Sequence, residues 1–452
     1  MPVSSEHPTY VDGLKKWCLT RAIVDNNAKK YLPDVDDRDP NRNKRYKNDA
    51  ILTNFTALTK NGLLGLIFLN APESVLPEQL NYLFDNATGS GLSLDELTQK
   101  VCGDLLETGR FGILVDCPAV EENDADAAQD RAARLIPYAA ESIINWRTRR
   151  VDGRDQFILL VLKEQIIVPT SPDDIFNLEK QDQYRVLRID DSGYYIQELY
   201  DRYLNLISSA MPTKADGSFF EYIPFSLMGT ENNDAEIDNA TLYDLAVLNL
   251  GHYKNSADYE ESVFITGQPT VIINIGDIPA DQWKEINGDR FKFGSRGGHI
   301  IGQGGSAQLL QANPNQLAGQ AMKDKELSAI GIGARIISPP GGRETAEAAR
   351  IRYSSQNSAL YILTKNVNSG IILALEYACD FTPEANPSLI EYELNDQFYE
   401  DGTDVTLLAQ AILMFDRNII SGQEIRNYIE ASGAGLVLES EIPDIQNNPL
   451  DE

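Results

Sequence analysis

The segment Ser338-Pro339-Pro340-Gly341-Gly342 interrupts a part of the chain that otherwise has the apolar spacing of helices. Residues 315–337 before it are predicted to be helical, and residues 344–380 after it predict a helix of over thirty residues. One face of this second helix is apolar and is formed by Leu360, Leu363, Val367, Ile371 and Leu375. Proline fixes φ and lacks the amide donor, whereas glycine accepts most backbone conformations. The break therefore combines a rigid entry with a pliable exit.

The part of the chain before this break contains another long helix and a small insert. Residues 242–264 have helical apolar spacing, and Gly267 and Pro269 end the helix. The insert is predicted to contain a strand at 270–275, a turn at 276–279, a short helix around Trp283 and a glycine-rich segment at 288–305. Two long helices that flank a small insert have more apolar surface than one chain can bury. We therefore expect copies of the chain to pack side by side.

The first half of the chain is predicted to combine helices with an antiparallel sheet. Helical spacing covers 1–30 and 92–107. A basic run is predicted to open a long helical segment that extends through Phe55 to Leu69, and it consists of Arg42, Lys44, Arg45 and Lys47. Runs of β-branched and aromatic residues separated by turn signals indicate strands at 157–162, 166–168, 185–189 and 194–200. The remaining predicted elements are strands at 113–115 and 389–394 and helices at 405–415 and 422–431. The fold class is α+β.

Length and composition indicate a globular protein with more than one packed unit. The chain has 452 residues, more than one hydrophobic core usually contains. Hydrophobic residues make up 42% and charged residues 24%, which is typical of folded domains. No stretch approaches the roughly 20 unbroken apolar residues of a membrane span, and residues 1–16 do not resemble a signal peptide. We expect a soluble protein that is made in the cytosol and has no membrane partner.

The net charge of −29 limits how the chain can meet nucleic acid. A protein that holds DNA over its whole surface is normally basic, because neutralising phosphates provides most of the affinity. Two explanations remain open from composition alone. Either the chain does not meet nucleic acid, or it must let DNA slide past without adhering.

The sequence lacks the residue patterns on which common enzyme classes depend. The glycine-rich segment 293–305 has no lysine after a glycine, as a Walker motif requires, and no helix follows it directly, as dinucleotide binding requires. Three histidines and four scattered cysteines without a CxxC pair argue against a catalytic triad and a zinc site. The acidic connector 34–43 places Asp39 and Arg45 where a calcium loop needs glycine and glutamate. No catalytic residue, metal or cofactor is predicted, and the chain is not expected to be an enzyme.

Basic residues are few, so their clustering is informative. One group lies in the small insert and consists of Lys284, Arg290, Lys292 and Arg296. Arg335 and Arg343 lie on either side of the proline-glycine break. These six residues are candidate DNA contacts, and the alternative is ordinary salt bridging with neighbouring acids such as Asp281 and Glu285.

Four stretches of the chain together indicate a family, and they are Gly109-Arg-Phe-Gly-Ile-Leu-Val-Asp-Cys-Pro118, Pro137-Tyr138, Ser142-Ile-Ile-Asn-Trp146 and Leu250-Gly-His-Tyr-Lys-Asn-Ser-Ala-Asp-Tyr-Glu260. These stretches resemble podophage portal proteins. The resemblance extends over roughly residues 40–430, and the order of the predicted elements supports it more than any single motif. A portal-protein fold is therefore the expectation for the chain.

The resemblance implies a particular division of the chain. An α/β wing would comprise 1–236 and, with the long helix and a returning strand, 344–400. A two-helix stem would comprise 237–267 and 313–337, with a small αβ clip at 268–312 between its helices. Residues 338–343 would form a tunnel loop, consisting of Pro339, Pro340, Gly341, Gly342 and Arg343 with the serine that precedes them. A short helical crown at 401–438 and a mobile acidic tail at 439–452 would follow.

The same resemblance implies a function. Portal proteins form a ring, usually a dodecamer, at one capsid vertex, and double-stranded DNA passes through it non-specifically during packaging and ejection. The implied partners are the terminase large subunit, head-tail adaptor or tail proteins, and the major capsid and scaffolding proteins. The chain would be assembled in the host cytoplasm and located in the virion. The alternative is another ring-forming virion protein, either a head-tail adaptor or a tail-tube protein.

The proline-glycine break gives a test of this implied function. If a rigid entry projects the loop inward and a pliable exit lets it adjust as DNA passes, Gly341→Pro with Gly342→Pro should leave ring assembly intact and reduce the genome packaged or retained. Arg343→Ala should cause a milder loss that shrinks as salt rises, because salt screens phosphate contacts. Genome content per particle measures both effects. Normal yields of full-length genomes in the double-proline variant would reduce the segment to a connector.

Overall fold

In the computed structural model, the described residues are 2–117, 132–151, 153–171, 174–267, 270–288, 298–310, 316–332 and 346–395. The chain divides into two compact units, Met1–Leu394 and Asn395–Glu452. All described residues except Asn395 belong to the first unit. The predicted tunnel loop at 338–343, the helices predicted at 405–415 and 422–431, and the acidic tail lie outside the described residues.

The described part combines helices with antiparallel sheets, as the sequence predicts. The helices are α1 (Pro8–Val24), α2 (Pro40–Asp49), α3 (Phe55–Ile67), α4 (Leu83–Asn86), α5 (Leu94–Thr108), α6 (Tyr243–Gly267), α7 (Ala280–Asn287), α8 (Leu317–Ile332) and α9 (Ala346–Phe381). The strands are β1 (Glu73–Val75), β2 (Arg110–Asp116), β3 (Arg134–Ala139), β4 (Ile143–Val151), β5 (Arg154–Ser171), β6 (Asp174–Ile189), β7 (Tyr195–Tyr200), β8 (Leu206–Ala210), β9 (Phe225–Gly229), β10 (Thr270–Asn274), β11 (Ser306–Leu310) and β12 (Glu391–Glu393).

The strands form four sheets among the described residues. Two are single antiparallel pairs, β1-β12 and β10-β11. A three-stranded sheet has the order β3-β2-β9, and a five-stranded sheet follows the chain in the order β4-β5-β6-β7-β8. All of these pairings are antiparallel. The antiparallel sheet predicted between residues 143 and 200 is therefore confirmed.

The centre of the first unit is built around α5 and the strand that follows it. Ser93 and Glu96 form a capping box at the start of α5, and Gly109 ends the helix in the left-handed conformation at φ 75°. A side chain at Gly109 would also collide with the backbone of Asp238, because a Cβ there would lie 2.6 Å from its carbonyl oxygen. The chain then enters β2, where all residues except Asp116 are buried. Both the left-handed backbone conformation and the nearby backbone of Asp238 therefore require glycine at position 109.

Helix α9 covers the three-stranded sheet with the face predicted from its sequence. Leu360, Leu363, Val367, Ile371 and Leu375 are all at most 4% exposed. At Gly370 the helix backbone approaches β9 so closely that a Cβ would lie 2.2 Å from Cγ of Met228. The hydroxyl of Ser226 on β9 donates to the carbonyl of Gly370 at 2.7 Å. The close contact between α9 and β9 thus depends on the absence of a side chain at position 370.

A buried ion-pair network joins α1 to α5. Arg21 on α1 pairs with Asp104, with Glu107 at 2.8 Å and with Glu141 at 2.8 Å. Lys60 on α3 also pairs with Glu107, which is only 2% exposed. Burial opposes the charge of Arg21, but the three carboxylates raise its pKa above the ordinary value. Because a buried carboxylate needs its counter-charge, this network fixes the crossing of the three helices.

Two sequence predictions are wrong in their boundaries. The basic run does not open one helical segment through Leu69, because the helix ends at Asp49 and a new helix begins at Phe55. Asn54 caps the second helix through the amide of Ala57, and the amide of Ile51 donates to Ser256 on the distant α6. The strands predicted at 157–162 and 166–168 are one continuous strand, β5, because the polar residues between them pair in register with β6 and Glu164 bonds to Arg185 of that strand at 2.6 Å.

The close approach at Gly370 gives a testable stability effect. Gly370→Ala should lower the free energy of unfolding by about 1–3 kcal/mol, because the new methyl group overlaps Met228 and forces one of the two elements to shift. Met228→Ala in the same chain should recover part of that loss by making room. Denaturant titration of the single and double variants measures this. Additive losses in the double variant would show that the two residues do not compete for space.

Candidate functional site

Helices α6 and α8 form an antiparallel pair that is anchored at one end. The buried residues of α6 lie between Leu245 and Ala257, and they pack against α1, α2 and α3. Among the described side chains of α8, Ala318 and Ala329 are buried. Lys325 of α8 donates to the side chain of Asn255 on α6 at 2.6 Å. Beyond Ala257, α6 has no buried residue, although Glu261 pairs with Arg42 at 2.8 Å and with Arg45 at 3.6 Å on α2.

The anchored half of α6 is held by polar as well as apolar contacts. Asn249 is fully buried, accepts from the hydroxyl of Thr56 at 3.1 Å and donates to the carbonyl of Thr53 at 2.8 Å. Tyr46 of α2 donates to Asp258 at 2.8 Å. Burial raises the pKa of Tyr46, and the bond to Asp258 adds to this effect. These contacts determine where α6 leaves the core.

His252 lies at the point where α6, α8 and α3 meet. Its side chain is fully buried, its ring makes an edge contact with Phe55 at 5.1 Å, and Nε2 lies 3.3 Å from Oε1 of Glu326. Burial lowers the pKa of His252, and Glu326 opposes this only in part. The imidazole is therefore held mainly in its neutral form at pH 7.

The segment between α6 and α8 forms a small unit with no core of its own. Strands β10 and β11 pair in register from Thr270↔Leu310 to Asn274↔Ser306, and α7 lies between them in sequence. Among the described side chains from 271 to 310, none is buried. A two-stranded ribbon is marginally stable by itself, so a surface that covers this unit would stabilise it.

Exposed apolar side chains are concentrated on these same elements. Thirteen of the thirty large hydrophobic residues that are exposed in the described residues lie between 243 and 332. They are Val247, Tyr259, Val263, Phe264, Ile265, Ile272, Ile286, Ile300, Leu309, Leu310, Leu317, Leu327 and Ile332. This segment is referred to below as the distal segment, residues 243–332. A concentration of exposed apolar side chains in one part of a chain is typical of an interaction surface.

Of the basic residues predicted to meet DNA, one falls within the described residues. Lys284 lies on α7, is exposed, and forms no salt bridge with any described residue. Arg290, Lys292, Arg296, Arg335 and Arg343 lie outside the described residues, as do Pro339, Pro340, Gly341 and Gly342. The predicted DNA contacts and tunnel loop formed by those residues therefore remain predictions.

A basic group that sequence reasoning missed lies on the edge strand β4. Arg147, Arg149 and Arg150 are all exposed, and no described carboxylate lies within 4.0 Å of their guanidinium groups. Asp155 is opposite Arg150 in the ladder. A run of three arginines in four positions is unusual in a chain with a net charge of −29, and that density is the signal that could have identified it.

One buried guanidinium group, that of Arg110, is held by contacts within the fold. Arg110 is 1% exposed, stacks over the Trp146 ring at 3.8 Å and donates to the carbonyl of Ala235 at 3.2 Å. Burial lowers its pKa, and Asp238 and Asp234 oppose that effect.

Among the described residues, His, Cys, Asp and Glu side chains form no group of three or more that could hold a metal ion. In the same part of the chain, no helix is both long and apolar enough to cross a bilayer.

Residues 241–382, from the start of α6 to the end of α9, match the family model described as a domain of unknown function, DUF4055. Comparison with curated proteins gave no match. Among solved structures, the chain is similar to one from the virion of a native gene transfer agent particle, with 13% identity and a TM-score of 0.42 over 86% of this chain and 94% of that one. A structure from the neck of the native particle, computed with C12 symmetry, has 14% identity and a TM-score of 0.40 over 86% and 93%.

The chain is also similar to an HK97-family phage portal protein from Corynebacterium diphtheriae, with 8% identity and a TM-score of 0.34 over 77% of this chain and 96% of that one. All three of these structural likenesses are distant.

The buried position of His252 gives a pH dependence of known sign. Because its pKa in the folded state lies below the ordinary 6.5, the unfolded chain binds a proton that the folded chain does not as the pH falls through 6.5. Folding stability should therefore fall between about pH 7.5 and 5.5, and His252→Gln should reduce that fall. Thermal unfolding at both pH values measures it. His7→Gln is the control, because burial also lowers the pKa of His7 and its contribution must be separated. Equal pH dependence in wild type and His252→Gln would contradict the assignment.

Proposed function

We propose that this chain is a portal protein, the subunit of a ring that forms a DNA channel at one vertex of a phage or phage-like particle. The observation that carries the proposal is the distal segment. It contains a β10-α7-β11 unit in which no described side chain from 271 to 310 is buried, held on two helices whose outer ends are apolar and exposed. Such a segment is stable only when neighbouring copies cover it.

A ring satisfies this requirement better than a dimer does. In a ring, each copy presents one side of its distal segment to the copy before it and the other side to the copy after it, so exposure on all sides of the helix pair is covered. The exposed residues of α6 include Val247 near one end and Ile265 near the other, so the contact would extend along the helix. The portal resemblance in the sequence points to the same assembly, with a dodecamer as the expected form.

The charge of the chain fits a conduit for DNA. At −29 per copy, the channel surroundings would repel the duplex on average and would prevent it from adhering. Lys284, which is exposed on α7, and the basic residues predicted at 290–296, 335 and 343 would supply weak contacts that exchange counterions rapidly. The tunnel loop at 338–343 would narrow the passage.

The division into wing, stem, clip and crown and the partners follow from the same proposal. The clip, residues 268–312, would be the docking surface for the terminase large subunit and afterwards for adaptor or tail proteins. The wing, residues 1–236 and 344–400, would meet the major capsid and scaffolding proteins. Packaging work would come from the separate motor, and this chain would supply the channel and the docking surfaces.

Substitutions in β11 test whether the distal segment is the assembly surface. Leu309→Ser with Leu310→Ser removes two side chains that are 59% and 60% exposed, so the fold of the single chain should be unaffected. The concentration at which half of the protein is assembled should rise at least about tenfold, which corresponds to about 1.4 kcal/mol. Mass photometry measures the assembly, and negative-stain electron microscopy shows whether it is a ring with a central pore.

Leu69→Ser with Leu389→Ser is the matched control, because these leucines are 62% and 54% exposed but lie outside the distal segment. The control should assemble like the wild type. A wild-type protein that remains a monomer or forms a closed dimer at all concentrations would refute the portal proposal. Equal loss of assembly in both variants would show that the distal segment is not the special surface.

A further inference from the structure

The exposed part of strand β4 carries three arginines that no described carboxylate approaches. They are Arg147, Arg149 and Arg150, referred to here as the arginine edge. The start of the strand is covered, because the amide of His7 donates to the carbonyl of Ile144 at 2.8 Å and the His7 ring stacks on Trp146 at 4.1 Å. Beyond Trp146, no described strand other than β5 pairs with β4. The arginine edge is therefore open to a further chain.

Three glutamates share the outer face of the β1-β12 pair. They are Glu73, Glu391 and Glu393, referred to here as the glutamate face. Glu73 lies directly opposite Glu393 in the ladder, and Glu391 is two positions from Glu393, so strand alternation places all three on one side. All three are exposed, and none forms a salt bridge with a described residue. Like charges directly opposite each other destabilise a strand pair, so a positive surface against this face would stabilise it.

The arginine edge and the glutamate face lie near opposite ends of helix α5. Tyr392 of β12 donates to the hydroxyl of Thr98 near the start of α5 at 2.9 Å. The Trp146 ring of β4 lies 3.8 Å from the guanidinium of Arg110, which follows the end of α5. From Thr98 to the end of the helix at Thr108 the chain rises by about 15 Å. Helix α5 therefore holds the two surfaces of one copy apart.

The two surfaces match in spacing as well as in charge. Arg147 and Arg149 follow each other along β4 at the same two-residue interval as Glu391 and Glu393 along β12, which is about 7 Å in each strand. Since each surface lacks a counter-charge among the described residues, a contact between two copies would supply both. Such a contact joins different surfaces of identical chains, and contacts of this kind close into rings.

We propose that the arginine edge of one copy binds the glutamate face of the neighbouring copy. The contact rests on the proposed ring, and it would link the copies at a second place outside the distal segment. Arg147 and Arg149 would pair with Glu391 and Glu393, because two charged rows with the same interval can pair residue by residue. The opposed charges of Glu73 and Glu393 would gain a counter-charge in the same contact.

Reversing the charge of one surface at a time should weaken assembly. The two variants are Arg147→Glu with Arg149→Glu, and Glu391→Arg with Glu393→Arg. The first leaves Arg150 beside Asp155, and the second places a positive charge opposite Glu73, so the fold of the single chain should be unaffected. In each variant the concentration at which half of the protein is assembled should rise at least about tenfold, because like charges would then face each other. Mass photometry measures this concentration.

An equal mixture of the two variants should assemble although neither variant does so alone. In the mixture, the reversed arginine edge of one variant meets the reversed glutamate face of the other, and the unchanged surfaces also meet with opposite charge. The two kinds of chain would alternate around the ring, as an even number of copies allows. Half-assembly should return to within about threefold of the wild-type concentration. A single chain with all four changes should assemble for the same reason.

Lys15→Glu with Lys44→Glu is the control for the arginine variant. Both lysines are exposed, lie outside the two surfaces and form no salt bridge with a described residue, and the change lowers the net charge by the same amount. The control should assemble like the wild type. Equal loss of assembly in the control would show that general repulsion, and not this contact, causes the effect.

Two other roles of the arginine edge give different results. If the arginines only protect an exposed edge strand, either sign of charge serves and the reversal leaves assembly unchanged. If they bind DNA phosphates, the arginine variant loses affinity for duplex DNA in a gel shift and assembles normally. Either result, or a mixture that assembles no better than its components, overturns the contact and leaves the ring standing. Absence of rings from the wild type overturns both.

Discussion

The packing of α9 on β9 is the constraint on which the rest of the first unit depends. Gly370 lets the helix backbone touch Met228, and side-chain hydrogen bonds fix the helix along the strand, from Ser226 to Gly370 at 2.7 Å and from Asn366 to the carbonyl of Gly229 at 3.1 Å. Strand β9 pairs with β2, and β2 continues directly from α5. The position of one helix therefore determines the sheet, and through β2 it determines the position of α5, which also contacts α9.

The start of α6 follows from this arrangement. The amide of Leu242 donates to the carbonyl of Leu106 on α5 at 3.0 Å, and Asp238 packs against Gly109 at the end of that helix. Helix α6 thus begins at a fixed place and leaves the core after Ala257. Burial stabilises only the first half of α6, and beyond it the ion pairs of Glu261 with Arg42 and Arg45 hold the helix to α2. In the proposed ring, neighbouring copies would cover β10, α7, β11 and the exposed outer ends of both helices.

Sequence periodicity was sufficient to predict the buried face of a helix where that helix contacts one surface along its length. The five residues predicted on the inner face of α9 are all buried, because a regular stripe against a sheet leaves a regular pattern. Periodicity failed to predict element boundaries that depend on contacts with residues distant in the sequence. The break between α2 and α3 depends on Ser256, some two hundred positions away, which accepts from Ile51. Residues 174–184 of β6 were missed because no described side chain there is buried, so the segment has no apolar alternation to read.

The acidic charge that would keep DNA from adhering in the proposed channel would also make copies of the chain repel one another. At physiological salt this repulsion is screened beyond roughly 8 Å, so it acts mainly where surfaces come into contact. Contacts between copies must therefore be built from surface that is apolar or locally basic. The described residues contain both kinds of surface, namely the apolar distal segment and the exposed Arg147, Arg149 and Arg150 of β4. In the proposed ring, a strongly acidic chain would assemble with itself at a few such places, and the rest of its surface would still repel DNA.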